Sequence, residues 1–305
     1  MSPPPKYCRA AVLGLQANRL CVIGLWIAAT LGCNPLSPRT IPMTQRAGPA
    51  SLLAMNTVPI ERGKPRPVLD AAGWVFGIPS KILLWNRRAE NHHISEKTEA
   101  SLQEYLAANQ LDHVKVRLNQ YRPWDDWKRL RANREVSWPW RYTFGAVSLL
   151  GETVLPGRLF GGDHFNPYTN TIHIYSDIPA IALHEGAHAK DFNRRTYPGT
   201  YAAAYALPIV PLYHESIASA DVIAYLETLG DPDLQEEAYH VLYPAYGTYV
   251  GNALGFAYPP AAFPFYYGSV VGGHLAGRMQ SRRITPSPEA GLTPTQHDEL
   301  RSYPR

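Results

Sequence analysis

The residues best able to do chemistry lie together at Ala182-Leu183-His184-Glu185-Gly186-Ala187-His188, which contains the pattern His-Glu-x-x-His. On a helix, residues four apart stand one above the other, so His184 and His188 can present two imidazoles to one zinc ion. Glu185 is one residue beyond the first imidazole and flanks the same face. From there it can take a proton from a metal-activated water and return it to a leaving amine, which is the logic of metal-assisted hydrolysis. The neighbours Ala180, Ile181, Ala182, Leu183 and Ala187 make this helix largely apolar. Unpaired imidazoles and a carboxylate buried in it would be destabilising, which favours a metal partner.

A catalytic zinc takes three protein ligands and keeps a fourth position open. The extension His-x-x-Gly-x-x-His is excluded, because Asp191 and Arg194 occupy its Gly and His positions. The stretch Tyr213-His214-Glu215-Ser216-Ile217-Ala218-Ser219-Ala220-Asp221 supplies two candidates, His214 and Glu215. They point about 100° apart on a helix, so only one can face the metal. Glu215 lies 27 residues after His188, room for a turn, a connector and a returning helix.

An HExxH motif followed by a Glu on a downstream helix resembles the gluzincin branch of the zincin metallopeptidases. The motifs that carry the resemblance cover about 40 residues, and the element order extends it to roughly 95–230. It implies His184, His188 and Glu215 as ligands of Zn2+, Glu185 as general base, and a peptide or protein substrate. Thermolysin-like members carry an Asp four residues after the ligand Glu, supporting the first imidazole; here that position is Ser219. Asp191 or Asp221 is then the expected support for an imidazole N–H, and Asp191 is also similar to the last residue of the HExxHxxD variant. An oxyanion needs a donor besides the metal. Tyr201, Tyr205 and Tyr213 lie near the second motif, and Tyr205 is the candidate. Zincins bind extended peptides along an edge strand, which the resemblance places at Thr171-Ile172-His173-Ile174-Tyr175, with an ordinary core strand as the other reading. Asp163 and His164, in the turn-rich run from Gly161 to Tyr168, are read as structural residues at the cleft rim.

The elements that must position these groups follow from periodicity and caps. Ser95 is placed to cap a helix to about Asn109 with Leu102, Tyr105 and Leu106 on one side. His113 to Leu118 alternates as a strand, and Trp124 to Arg134 suits a short helix. Arg141–Leu149, Val154–Phe160 and Asn170–Tyr175 read as strands between Gly- or Pro-containing turns. Asp177 is placed as N-cap, with Pro179 in the first turn, of a helix to about Asn193. A second helix runs from about Pro211 to Leu229, stopped by Gly230, and a third starts at Asp231-Pro232. The expected class is α+β: zincin-like, with a small mixed sheet whose edge strand precedes the HExxH helix, and a mostly helical C-terminal half.

The chain of 305 residues is 45% apolar and 18% charged, with 28 Pro, 23 Gly and a formal charge of +4. This excludes a disordered protein. All three Cys (Cys8, Cys21, Cys33) precede residue 34, so the rest of the chain offers no thiolate. Lys6, Arg9 and Arg19 are followed by the apolar run Leu20–Gly32, which suits a secretory signal over 1–32. Ala29-Thr30-Leu31-Gly32-Cys33 resembles the lipobox of bacterial lipoproteins, implying lipidation at Cys33, a membrane anchor and a place in the cell envelope. Residues 33–67 read as a tether, 68–278 as the metallohydrolase domain and 279–305 as a polar, disordered tail. Without Lys6, Arg9 and Arg19, 26 basic residues face 25 acidic ones, and no basic stripe is interleaved with aromatics, so a nucleic-acid partner is not expected. Ala238–Gly277 has no Asp, Glu, Lys or Arg, but its prolines, Asn252 and His274 interrupt any membrane span. The competing function is a non-catalytic zincin-fold lipoprotein with a binding or structural role.

Overall fold

A computed structural model describes residues 58–284. The signal segment, Cys33 and the polar tail beyond Ile284 lie outside these residues. The class is α+β, with a small mixed sheet followed by a mostly helical half.

The chain opens with β1 (Ile60–Arg62), α1 (Pro67–Phe76) and α2 (Ile78–Leu83), then α3 (Glu96–Ala108), β2 (Lys115–Leu118) and α4 (Pro123–Ala132). A helical segment from Trp138, with a π-helical stretch at Arg141–Gly145, leads into α5 (Ala146–Val154), and a single turn forms α6 (Gly157–Phe160). Next come β3 (His164–Asn166), β4 (Thr171–Ile174) and α7 (Pro179–Asn193), then α8 (Pro198–Ala204) and α9 (Val210–Leu229). The helices α10 (Pro232–Ala257) and α11 (Ala262–Ser281) close the body. β1 falls inside the stretch read as a tether, and Val58 is buried in the main core, so the folded body begins before residue 68.

The strand order is β1-β2-β4-β3, parallel except for the β4–β3 pair. The strand before the HExxH helix is therefore interior, not an edge: β4 is paired on both sides and wholly buried. The outer strand on that side is β3. Register sets Ile60, Val116, Ile172 and Phe165 on one face, and Glu61, Arg117, His173 and His164 on the other. The apolar face packs with Leu102 and Leu106 of α3, Leu183 and Ala187 of α7, Val222 and Leu226 of α9, and Leu242 of α10 into one core.

Two of the strands expected from sequence are helical. Arg141, Gly145 and Leu149 are buried, and a four-residue interval is a helical period. Gly145 lies in the middle of this helical run. A Cβ there would lie 2.9 Å from Leu130 Cδ1 and 3.0 Å from Tyr168, so the helix uses it to approach its neighbours. In Val154–Phe160, Pro156 precedes α6 and ends any strand.

Ser95 caps α3, its Oγ accepting from Thr98 N at 3.3 Å. Asp177 does not cap α7, whose N-cap position is Ile178. Its carboxylate instead accepts from Ser95 N (2.9 Å), Ser95 Oγ (2.6 Å) and Thr98 Oγ1 (2.6 Å), tying the start of α3 to the end of the sheet. Gly230 ends α9 in the left-handed region at φ 68°, where a side chain would be strained. Among the described residues no helix is long and apolar enough to cross a membrane.

Candidate metal centre

The helix α7 is buried along most of its length, between α3, α9, α10 and the sheet. Gly186, inside the HExxH motif, permits the close approach to α3: a Cβ there would sit 2.9 Å from the Tyr105 ring and 3.3 Å from Leu102. Lys190, at 0% exposure, donates to Asp221 Oδ1 of α9 at 2.5 Å, and Tyr105 of α3 donates to the other oxygen of that carboxylate. This buried group braces three helices around the motif.

The braced helices bring His184, His188 and Glu215 together. Nε2 of His184 and Nε2 of His188 are 3.1 Å apart, with the rings nearly perpendicular at 87°. Glu215 Oε2 lies 2.9 Å from His184 Nε2, and Oε1 lies 3.4 Å from His188 Nε2. Ligands at zinc distances in a tetrahedron are separated by about 3.3 Å. The donor set and its spacing thus fit a zinc ion held by these three residues. Burial pushes the Glu215 carboxyl up, and the charge of His188 with hydrogen bonds from both imidazoles outweighs this, holding it below the usual carboxylate range.

His214 is turned away. Its ring sits 4.1 Å from that of Tyr201 and near Phe192 and Tyr205, with both ring nitrogens buried and lacking a hydrogen-bond partner. Burial, then the charge of His188, pushes its pKa down to about 4.

Glu185 shares a cleft of about 270 Å³ with His188, Glu215, Tyr205, Tyr249 and Phe165. Burial raises its carboxyl pKa to about 7; His184 opposes the shift, and the charges of Glu215 and Asp163 add to it. The shift is in the direction required of a group that takes a proton and later returns it.

The remaining candidates hold other positions. Tyr205 donates its hydroxyl to Glu215 Oε1 at 2.8 Å, so its proton is committed to the carboxylate. Asp191 accepts from Tyr201 at 2.6 Å and from Arg195. Asp221 serves Lys190 and Tyr105, so neither aspartate is hydrogen-bonded to His184 or His188. The group beside His184 Nδ1 is Ser219 Oγ, at 3.4 Å, one turn after Glu215 on the same face of α9. Asp163 Oδ1 accepts from Tyr175 N (2.6 Å) and Ser176 N (2.9 Å), fixing the exit from β4. Tyr249 of α10, which no motif marks, lines the cleft with Glu185, His188, Tyr205 and Glu215; its only signal in the sequence is membership of the Tyr-rich uncharged stretch.

Compared with protein-family models, curated proteins and solved structures, the chain matches none of them.

Proposed function

We propose that this protein is a zinc-dependent hydrolase of zincin type, most naturally a metallopeptidase, in which His184, His188 and Glu215 hold the ion. The observation that supports it is the convergence of these three side chains at 2.9–3.4 Å, with Glu185 in the same cleft. The chemistry a bound zinc ion supplies is polarisation of a carbonyl and a lower pKa for water. Glu185 takes the proton of the attacking water and delivers it to the leaving amine. Tyr205 holds the Glu215 carboxylate in orientation. Phe165 and Phe192 line the cleft beside Glu185 and His188 and give it an apolar wall. With β4 interior, the edge on which an extended peptide would lie is β3, whose Phe165 and His164 border the cleft.

Glu185→Gln tests the reading. Zinc content stays at the wild-type level while hydrolysis of a peptide library falls by about 10²- to 10⁴-fold. A wild type that holds zinc and cleaves nothing in such a library would overturn the enzyme in favour of the non-catalytic scaffold.

A further inference from the structure

The polar face of the sheet carries a second set of metal-ligating side chains. Along the row Glu61, Arg117, His173 and His164, the guanidinium of Arg117 is satisfied by Asp126 (2.9 and 3.0 Å) and Glu61 (3.0 Å). The imidazole of His173 is not, and that of His164 meets Glu152 at 3.5 Å through its Nε2. His173 is 5% exposed, and its Nε2 is buried with no hydrogen-bond partner; His164 Nε2 is buried as well. The rings are stacked, with centroids 4.7 Å apart and planes 12° from parallel. Glu152 of α5 reaches the same point through its Oε1. One ligand atom from each of the three residues lies within 4.8 Å of the others.

The surroundings hold this set in place. His164 Nδ1 is 3.0 Å from Gly162 O; donating there, the neutral imidazole would offer Nε2 to an ion that takes the place of the proton shared with Glu152. Asn166 Nδ2 donates to Glu152 Oε1 at 2.7 Å. Such outer contacts orient ligands in metal sites. A cavity of about 60 Å³ adjoins all three residues, room for a few waters to complete a coordination shell. Buried ring nitrogens are expected to have partners, and for His173 Nε2 no protein group supplies one.

We propose that Glu152, His164 and His173 form a second site, for a divalent transition-metal ion, separate from the His184–His188–Glu215 centre. Two imidazoles and a carboxylate without sulfur suit zinc, iron or cobalt rather than calcium or magnesium. The ion joins α5, β3 and β4, so its effect is to fasten the helical cover onto the polar face of the sheet.

The test is Co2+ titration of the chelator-treated full-length chain, followed by visible absorption and metal analysis. Wild type takes up two equivalents, His184→Ala/His188→Ala takes up one, and Glu152→Gln/His173→Gln takes up one with the spectrum of the other centre. Glu152→Gln alone, which keeps side-chain shape, weakens the second equivalent by tenfold or more. A folded His184→Ala/His188→Ala protein that binds no Co2+, or a Glu152→Gln chain that binds two equivalents as tightly as wild type, overturns the proposal. One equivalent in wild type, kept in His184→Ala/His188→Ala and lost in the Glu152 variant, upholds this site while removing the zincin reading.

Discussion

At the scale of residues, the centre on α7 is legible because its geometry is local. His184 and His188 are one turn apart, so spacing alone puts them on one face, and Glu215 follows once a returning helix is granted. The supporting groups were harder to read, because their contacts depend on how helices dock. Asp191 and Asp221 have the right chemistry, yet Arg195, Tyr201, Lys190 and Tyr105 take them. Ser219 and Tyr249 stand beside the ligands and carry no motif. Tyr205→Phe distinguishes a residue that positions Glu215 from one that binds an oxyanion. If the proposed centre holds zinc, the phenol held on Glu215 predicts a zinc Kd raised by about 10- to 100-fold in this variant, read by competition with a chromophoric chelator, with kcat of the proposed hydrolysis at saturating zinc little changed. An unchanged Kd with a large loss of kcat would assign Tyr205 to the transition state.

At the scale of elements, long periodic helices and the alternating strands β2 and β4 are legible, and the short apolar run Arg141–Leu149, which fits either period, is not. Gly145 lies inside the run Arg141–Leu149 that reads as a strand and acts instead as a helical packing position. Asp177 shows the converse: its capping chemistry was legible, but the group it serves, at Ser95 and Thr98, lies far back in the chain. Burial raises the Asp177 carboxyl, and the hydrogen bonds from Ser95 and Thr98 outweigh this to lower its pKa in the folded state. A depressed folded pKa contributes stability that is present above the unfolded value, near 4, and is lost as pH falls through the folded one. Asp177→Asn therefore has a lower urea midpoint than wild type at pH 7, and the gap narrows below about pH 4. A gap that stays constant to pH 3 would show that the carboxylate charge contributes nothing.

At the scale of the molecule, the uncharged stretch Ala238–Gly277 forms most of a helical hairpin, α10 and α11, packed main chain to main chain. A Cβ at Gly247 would lie 2.5 Å from Ser269 O, one at Gly251 2.5 Å from Tyr266 Cα, and one at Gly273 2.5 Å from Tyr243 O. The small-residue spacing in the sequence thus marks close contact between α10 and α11. Gly273→Ala is expected to cost about 1–3 kcal/mol through overpacking and to lower Tm accordingly. Gly151→Ala, at a helical position where a Cβ meets nothing within 4 Å, is expected to be neutral or to stabilise by up to about 1 kcal/mol. Equal Tm values for the two variants in thermal unfolding would refute close packing at the seam.

Because α11 turns glycine toward α10, its large apolar side chains are left for the opposite side, and Phe263, Tyr267, Val271, Leu275 and Met279 form an exposed row at four-residue intervals. The two sides of this one helix therefore differ in what substitution they admit. The seam excludes even a methyl group, while the outer row leaves room for change of size and polarity. The part of the chain with no charge and little of the proposed chemistry is held to a narrow alphabet by shape alone.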